Sequence, residues 1–234
     1  MALFDAVADV FLPPACAACD EVLPGPGAFC EACRALVLEV GEVVCHRCGE
    51  PGRFPEDGCE RCRAAPPPFT KAWAPFEHDG AMARAVHRFK YEDRPDLSRP
   101  LGRLLAEAAA QALADMPGVL VPVPLHESRF RERKFDQAAL LAVALGEVTK
   151  RRVEESWLER TRSTPRQVGL SDVAREANVS GAFAADAAVK GQDVVLVDDV
   201  FTTGATAREA ARALLHRGAR RVFVLTLARA RRGA

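Results

Sequence analysis

Residues 194–206 decide the fold, and they read Val-Val-Leu-Val-Asp-Asp-Val-Phe-Thr-Thr-Gly-Ala-Thr. Four consecutive apolar residues, three of them β-branched, predict a buried parallel strand over residues 194–197. The Thr/Gly-rich turn that follows predicts the start of a helix. Because such strands deliver ligand sites at their carboxyl ends, the stretch predicts an α/β fold with a binding site after Val197.

The polar residues of this stretch predict which ligand the site takes. Asp198 and Asp199 are spaced to accept hydrogen bonds from two neighbouring hydroxyl groups. The turn supplies hydroxyls and backbone N–H groups at a helix N-terminus, where anions bind. A diol beside a phosphate describes a ribose 5-phosphate. The alternative is an ordinary strand, turn and capped helix, but thirteen residues in order favour the site. The predicted phosphate-binding residues are Thr202, Thr203, Gly204, Ala205 and Thr206.

Apolar patterning on either side of this stretch extends the α/β prediction. Alternating strands and helices, rather than runs of one type, indicate an open, mostly parallel sheet. The predicted strands are 71–77, 119–123 and 221–227, and the predicted helices are 81–89, 101–116 and 136–148.

A second candidate site follows the predicted strand 119–123. Four basic residues lie within positions 129–134, at the carboxyl end of that strand. Arginine grips phosphate oxygens with a bidentate fork, and lysine acts as a point charge. Arg129, Arg133 and Lys134 are therefore predicted to bind pyrophosphate. A mixed Arg/Glu run is also typical of a solvated helix face.

A third candidate is the polar segment 164–170, which shows neither a helix nor a strand period. With Arg162, Arg166 and Gln167 it fits a loop that closes over a bound diphosphate and excludes water. It fits a plain surface connection equally well, and both interpretations stay open.

All eight cysteines fall within the first 62 residues, as four Cys-x-x-Cys pairs. Ten residues separate the first two pairs, and ten separate the last two. Two such pairs complete a tetrahedral four-cysteine zinc site, so the array predicts a double zinc ribbon with two structural ions. Sequential pairing is favoured, and an interleaved cross-brace is the alternative. A disulfide framework is disfavoured because no export signal precedes it. The predicted ligands are Cys16, Cys19, Cys30, Cys33, Cys45, Cys48, Cys59 and Cys62.

The net charge of zero hides an asymmetry along the chain. Residues 1–62 contain eleven acidic and four basic residues, whereas the remainder contains 21 acidic and 28 basic residues. Since phosphate contacts need lysine and arginine, any nucleic acid is expected to contact the C-terminal part rather than the ribbon.

The proline-rich segment 64–68 is a stiff boundary. We predict a double zinc ribbon over residues 1–66 and a second domain over residues 67–234. Residues 1–12 resemble a short amphipathic helix with two aspartates rather than a signal peptide. No segment approaches the roughly 18 apolar residues of a membrane span, so a cytoplasmic protein without membrane insertion is expected.

Residues 194–206 resemble the signature of type I phosphoribosyltransferases, which use phosphoribosyl pyrophosphate (PRPP). The whole chain resembles the ComF family, a cysteine ribbon followed by a type I phosphoribosyltransferase domain with a mostly parallel sheet. The resemblance includes the cysteine pairs, Phe89-Lys90-Tyr91, 122–126, Arg129, Arg133, Phe135, Gln137, 164–167, Leu170, Arg175, Asn178, 181–183, 198–206 and 226–229.

The resemblance implies specific roles. Asp198 and Asp199 would hold the ribose hydroxyls as catalytic residues, and Mg²⁺ would bind with PRPP. Lys90, Arg166 and Gln167 would belong to an active-site loop. Family members resemble competence proteins needed for uptake of transforming DNA, which implies single-stranded DNA and DNA-import proteins as partners.

One segment departs from the family pattern. Members usually read Arg-Gly-Phe-Asn-Gln where this chain has Arg133-Lys134-Phe135-Asp136-Gln137. The glycine's permissive backbone is lost, and Asp136 places a carboxylate near the predicted pyrophosphate site, which Lys134 would offset.

Two functions are consistent with the sequence. The first is a phosphoribosyltransferase whose acceptor the sequence does not define. The second is a non-catalytic protein of the same fold that binds single-stranded DNA or a protein partner.

Overall fold

The structure is a computed structural model, and it describes residues 14–162 and 180–231. The predicted helix over residues 1–12 lies outside the described residues, as do Arg166, Gln167, Leu170, Arg175 and Asn178. In chain order, the strands and helices are α1 (Glu31–Arg34), α2 (Glu60–Ala64), β1 (Lys71–Trp73), β2 (Phe76–Glu77), α3 (Gly80–Tyr91), α4 (Ser98–Ala108), α5 (Ala110–Ala114), β3 (Val119–Pro122), α6 (Glu127–Arg133), α7 (Gln137–Thr149), β4 (Leu158–Arg160), β5 (Phe183–Ala185), β6 (Asp193–Phe201), α8 (Ala205–His216) and β7 (Arg221–Arg229).

A five-stranded sheet organises the chain after the cysteine region. Its order is β1-β7-β6-β3, with β2 also pairing β7, and every pairing is parallel. Strands β4 and β5 form a separate antiparallel pair. The predicted, mostly parallel sheet is therefore confirmed.

Both faces of β6 are buried, as its continuous apolar run predicts. Val195 and Val197 pack on one face with residues of α3, α4 and α7. Val194 and Leu196 pack on the other face with residues of α8. Two helical layers therefore enclose the sheet, which leaves its carboxyl edge open for a site.

Most predicted bounds differ from the structure by one or two residues, and three elements differ by more. The strand predicted over 71–77 is two short strands separated by Ala74 and Pro75, because proline has no N–H for the ladder. The helix predicted over 101–116 is divided at Ala109, where the backbone leaves the helical region (φ −92°, ψ 3°). The strand predicted to end at Val197 continues to Phe201, because Asp198, Val200 and Phe201 still pair with β7.

Buried arginines connect the cysteine region to the sheet and its helices. Arg88 on α3 donates to the carbonyl of Ala17 at 3.2 Å and forms an ion pair with Asp20. Arg208 on α8 donates to the carbonyl of Ala65 at 2.9 Å. Loss of one partner would leave a buried guanidinium unsatisfied, which costs free energy. These contacts therefore stabilise the packing of the cysteine region against the helices that cover the sheet.

Among the helices that the structure describes, none has both the length and the apolar character needed to cross a membrane.

Candidate active site and zinc sites

The eight cysteines form two groups, and the groups are the sequential pairs predicted from the sequence. Within each group the four sulfur atoms lie within 4.8 Å of one another. The Sγ atoms of Cys19 and Cys30 are 3.7 Å apart, and those of Cys48 and Cys59 are 3.6 Å apart. Zinc–sulfur bonds of about 2.3 Å in a tetrahedron place sulfur atoms about 3.8 Å apart. Both donor sets therefore fit a structural Zn²⁺ ion.

The second cysteine group is part of the same apolar core as the sheet. Cys45, Cys48, Cys59 and Cys62 pack in one cluster with side chains such as Phe69 and Leu196. The first group belongs to a smaller cluster that contacts α3 through Ala81. The second site is therefore the one more closely integrated with the parallel sheet.

The acidic pair lies in the second half of β6, where the neighbouring strand β3 has already ended. β3 stops at Pro122, which pairs with Val197, so Asp198 and Asp199 project beyond it at the carboxyl edge of the sheet. Both line a cavity of about 300 Å³. The Oδ1 atom of Asp198 accepts a hydrogen bond from the Asp199 N–H at 2.8 Å.

Lys90 carries the cation that faces this pair. Its Nζ atom lies 2.8 Å from Oδ1 of Asp199. Lys90, expected in an active-site loop, lies instead in the last turn of α3, which ends only at Tyr91. A rigid helix therefore holds this lysine against the buried carboxylate.

Burial, followed by the charge of Asp199, raises the pKa of Asp198 to about 7, and Lys90 acts in the opposite direction. Nearby His78 also lines the cavity. Its pKa is lowered, first by burial and then by the positive charge of Lys90, so this imidazole stays neutral at physiological pH. The cavity therefore contains a carboxyl group with a pKa near neutrality beside a neutral imidazole.

The Thr/Gly turn has the geometry of a helix start, as predicted. Gly204 is the residue before α8, with φ 77°, and a Cβ atom there would lie 2.5 Å from Cζ of Phe201. Only glycine fits such a position without strain. Thr202 and Thr206 line the cavity. The hydroxyl of Thr203 turns inward and accepts from the Ala205 N–H at 3.3 Å.

The basic run after β3 forms helix α6, and only two of the three predicted pyrophosphate residues line the cavity. Arg129 and Arg133 line the cavity. Arg133 donates to the Gln137 side chain at 2.9 Å and stacks 5.0 Å from the centre of the Tyr91 ring. Lys134 does not line the cavity, because it lies past the end of the helix and forms an ion pair with Asp93.

The expectation that Lys134 offsets Asp136 is wrong for the same reason. Asp136 instead caps α7, where it accepts from the N–H groups of Ala138 at 2.9 Å and Ala139 at 3.1 Å. It also accepts from Leu125 N–H at 2.7 Å. Burial raises the pKa of this carboxyl group, and the negative charge of Asp199 adds to the shift.

Lys134, which stands where family members usually have glycine, has a strained backbone conformation. Its φ of 66° is in the left-handed region, which disfavours side chains with a Cβ atom. We expect Lys134→Gly to stabilise the protein by about 0.5–1 kcal/mol in urea unfolding, net of the exposed Asp93 ion pair. A loss of stability in this variant would contradict that account.

Arg160 lines the cavity but is not among the residues predicted from the sequence. It is the last residue of the short strand β4, it is buried, and it lines the same cavity. A three-residue strand with one exposed residue between two buried ones has too short a pattern to predict. No local signal identified it.

Two family matches cover most of the chain. Residues 7–66 match the family described as a double zinc ribbon domain. Residues 102–234 match the family described as a phosphoribosyl transferase domain.

Three relatives match this chain over 78–90% of their own lengths. DNA utilization protein YhgH of Salmonella typhimurium is 33% identical over 206 residues, covering 86% of this chain and 90% of the relative. Competence protein F of Haemophilus influenzae is 30% identical over 211 residues, covering 86% and 90%. Competence protein ComFC of Bacillus subtilis is 26% identical over 198 residues, covering 81% and 78%.

Proposed function

The chain belongs to the ComF family, in which a double zinc ribbon precedes a phosphoribosyl transferase domain, and on this premise we propose that it binds PRPP with Mg²⁺ and transfers phosphoribose to an acceptor. The observation that carries the proposal is the shared cavity. The Asp198–Asp199 pair, the entry to the N-terminus of α8 and three arginines line one space of about 300 Å³, together with Glu132 and Asp136.

Each part of the cavity suits one part of PRPP. Asp198 and Asp199 would accept hydrogen bonds from the ribose hydroxyls. The turn 202–206 would bind the 5-phosphate at the N-terminus of α8. Arg129 and Arg133 would bind the pyrophosphate, and Lys134 leaves this set because it faces Asp93.

The acidic pair also fits a magnesium ion bound together with the ligand. Mg²⁺ prefers one or two carboxylates combined with substrate phosphate oxygens, and the pair in this cavity supplies such donors. When bound, the ion neutralises charge on the diphosphate. The ion pair between Lys90 Nζ and Asp199 Oδ1, 2.8 Å apart, orients one of these two carboxylates.

The transfer breaks the bond between the anomeric carbon and the pyrophosphate oxygen, which leaves with the electron pair. The acceptor forms the new bond and loses its proton. Between bond breaking and bond formation, positive charge develops on the ribose ring. The two carboxylates would stabilise this charge electrostatically.

Calorimetric titration of PRPP with Mg²⁺ tests the proposal. We expect micromolar binding to the wild type and at least a roughly 100-fold weaker affinity for the double variant D198N/D199N, since each lost charge-assisted contact costs about 1.5–3 kcal/mol. Asp186→Asn is the matched control, because this carboxylate caps a short helix outside the cavity.

Absence of PRPP binding by the folded wild type would refute the proposal. Undiminished PRPP binding by the double variant would show that PRPP binds at another site.

The names of the relatives favour a second candidate function, a non-catalytic protein that handles single-stranded DNA or docks with DNA-import proteins. Two are named for competence and one for DNA utilization. The basic excess beyond residue 62 supports contact with phosphates there. Pyrophosphate release on addition of an acceptor would favour the enzyme, whereas salt-dependent DNA binding without turnover would favour the second candidate.

Both candidate functions place the protein in the cytoplasm. Cysteine thiolates remain available to zinc in a reducing compartment, whereas oxidising compartments favour disulfides.

A further inference from the structure

His78 is the only histidine that lines the cavity. The structure describes all five histidines of the chain, and the other four lie outside this space. His78 directly follows β2, and its backbone N–H donates to the carbonyl of Arg229 at 2.6 Å. The pairing of β2 with β7 therefore holds this residue at the same edge of the sheet as the acidic pair.

The ring of His78 has no partner within the described part of the chain. Its nitrogen atoms form neither a hydrogen bond nor an ion pair there, although the side chain is partly buried. By contrast, Nδ1 of His126 lies 2.9 Å from the Ser128 hydroxyl, and Nδ1 of His87 lies 3.5 Å from Glu92. An imidazole that lines a cavity without a partner is available to a bound molecule.

The surroundings of His78 keep its ring neutral, which is the form that accepts a proton. Burial lowers the pKa of the imidazole, and the positive charge of Lys90 on α3 lowers it further. The negative charges of Asp199 on β6 and of Asp79, which caps α3, act in the opposite direction. These two carboxylates would stabilise the imidazolium once a proton has been transferred.

The sheet order places His78 and helix α6 on opposite sides of the acidic pair. Strand β6 carries the pair, β7 separates it from β2, and β3, which precedes α6, borders it on the other side. A displacement that inverts a sugar carbon needs the incoming and leaving groups on opposite faces of the ring. With pyrophosphate beside α6, as proposed above, the acceptor would approach from the side of β2 and His78.

We infer that His78 is the general base that removes the proton from the acceptor. The inference rests on the proposed transfer of phosphoribose. The bond between the anomeric carbon and pyrophosphate breaks, and pyrophosphate leaves with the electron pair. A hydroxyl or N–H group of the acceptor forms the new bond to that carbon. Its proton passes to a ring nitrogen of His78, and the imidazolium later releases the proton to solvent. The acceptor is therefore a neutral group that needs a base.

Two small acceptors test this role. Water must lose a proton when it attacks the anomeric carbon, whereas azide has no proton to lose. Pyrophosphate release from PRPP with Mg²⁺ is measured in water alone and with added sodium azide. We expect His78→Gln to slow release with water by about 100-fold or more, and release with azide by less than about threefold. Added imidazole should restore the water reaction of His78→Ala.

Binding measurements and a matched variant serve as controls. The calorimetric affinity for PRPP should stay within about twofold of the wild type in both His78 variants, since the base contacts the acceptor and not PRPP. His216→Gln is the matched control, because His216 is exposed at the end of α8 and lies outside the cavity. Its rates with both acceptors should equal those of the wild type.

The outcomes separate this inference from the proposed function. A folded His78→Gln that reacts with water at the wild-type rate overturns the general base, while phosphoribose transfer stands. An equal loss with water and with azide would show a structural role for His78 and also overturns the base. A wild type that binds no PRPP, or releases no pyrophosphate with either acceptor, overturns the transfer and the base together. If His78→Gln does not fold, the reading is taken from His78→Ala with and without imidazole.

Discussion

Loss of zinc from the second cysteine group is expected to unfold much more than the ribbon. Its four cysteines belong to the core that includes Phe69, Val121 and Leu196. A structural zinc ion contributes about 10–16 kcal/mol in small finger peptides, and a whole domain is stable by only about 5–15 kcal/mol. Removal of this ion should therefore unfold the parallel sheet as well as the ribbon.

The turn 202–206, which is proposed to bind phosphate, is connected to the same zinc site. Arg229, at the end of β7, donates to the carbonyl of Cys48 at 2.9 Å and forms an ion pair with Glu50. Its guanidinium lies 5.5 Å from the centre of the Phe201 ring, and that ring lies against Gly204. Without zinc, Arg229 loses its anchor, and the turn before α8 loses its support.

Cys62→Ser tests this prediction, with Cys19→Ser as the comparison. Cys62 is fully buried in the second group, whereas Cys19 is the exposed ligand of the first. Each variant should bind one zinc ion instead of two. We expect the melting temperature to fall by at least about 10 °C for Cys62→Ser and by less for Cys19→Ser.

Zinc content, thermal unfolding and amide exchange of residues 200–206 provide the measurements. Two zinc ions bound to Cys62→Ser would contradict the ligand assignment. An unchanged melting temperature with one zinc ion would contradict the structural link to the sheet.

Replacing Asp198 by asparagine is expected to stabilise the protein at neutral pH while removing part of the proposed binding site. The ordinary pKa of this carboxyl group is 3.8, and in the folded protein it is raised to about 7, chiefly by burial. Between these values the folded state binds more protons than the unfolded state, so stability falls as pH rises. Asparagine cannot ionise, so the variant does not lose stability through this group as pH rises.

Urea unfolding at pH 5 and pH 8 gives the size of the effect. We expect Asp198→Asn to be more stable than the wild type by about 2–4 kcal/mol at pH 8, with a smaller gain at pH 5. Asp136 has a pKa raised in the same direction, so the variant should keep a weaker dependence on pH. Asp20 and Asp193 have lowered pKa values and act only at more acidic pH.

Asp186→Asn serves as the control and should leave the pH dependence unchanged. A variant Asp198→Asn no more stable than the wild type at pH 8 would show that the carboxyl group is not held at a cost to stability. Natural binding sites commonly carry such a cost, since function needs charges where burial disfavours them.

Patterns confined to neighbouring residues were predictable from the sequence. Four apolar residues before an acidic pair identified the central strand, because burial on both faces leaves a continuous apolar run. The spacing of the cysteines identified both zinc groups. The turn at Gly204 was predictable since a positive φ before a helix requires a glycine-like residue.

Features that depend on contacts between distant residues were not predictable. The extension of β6 through Asp198 and Asp199 depends on the length of β7, which supplies its pairing partners. The ion pair of Lys90 with Asp199 joins residues 109 positions apart in the chain. The buried Arg160 pairs with and stacks on Phe183, which lies 23 positions further along the chain. Local propensity contains no information on such tertiary contacts.

The sheet order has a consequence for how the chain is made. β7 is the last of the described strands, yet it lies between β1 and β6 and also pairs β2. On a ribosome that adds about 5–20 residues per second, β1 and β6 emerge with no partner to join them. The parallel sheet can close only when residues 221–229 have left the ribosome. Until then, the carbonyl of Cys48 also lacks its hydrogen bond from Arg229. A nascent chain truncated before β7 is therefore expected to expose its apolar strands, which makes it prone to aggregation and to chaperone binding.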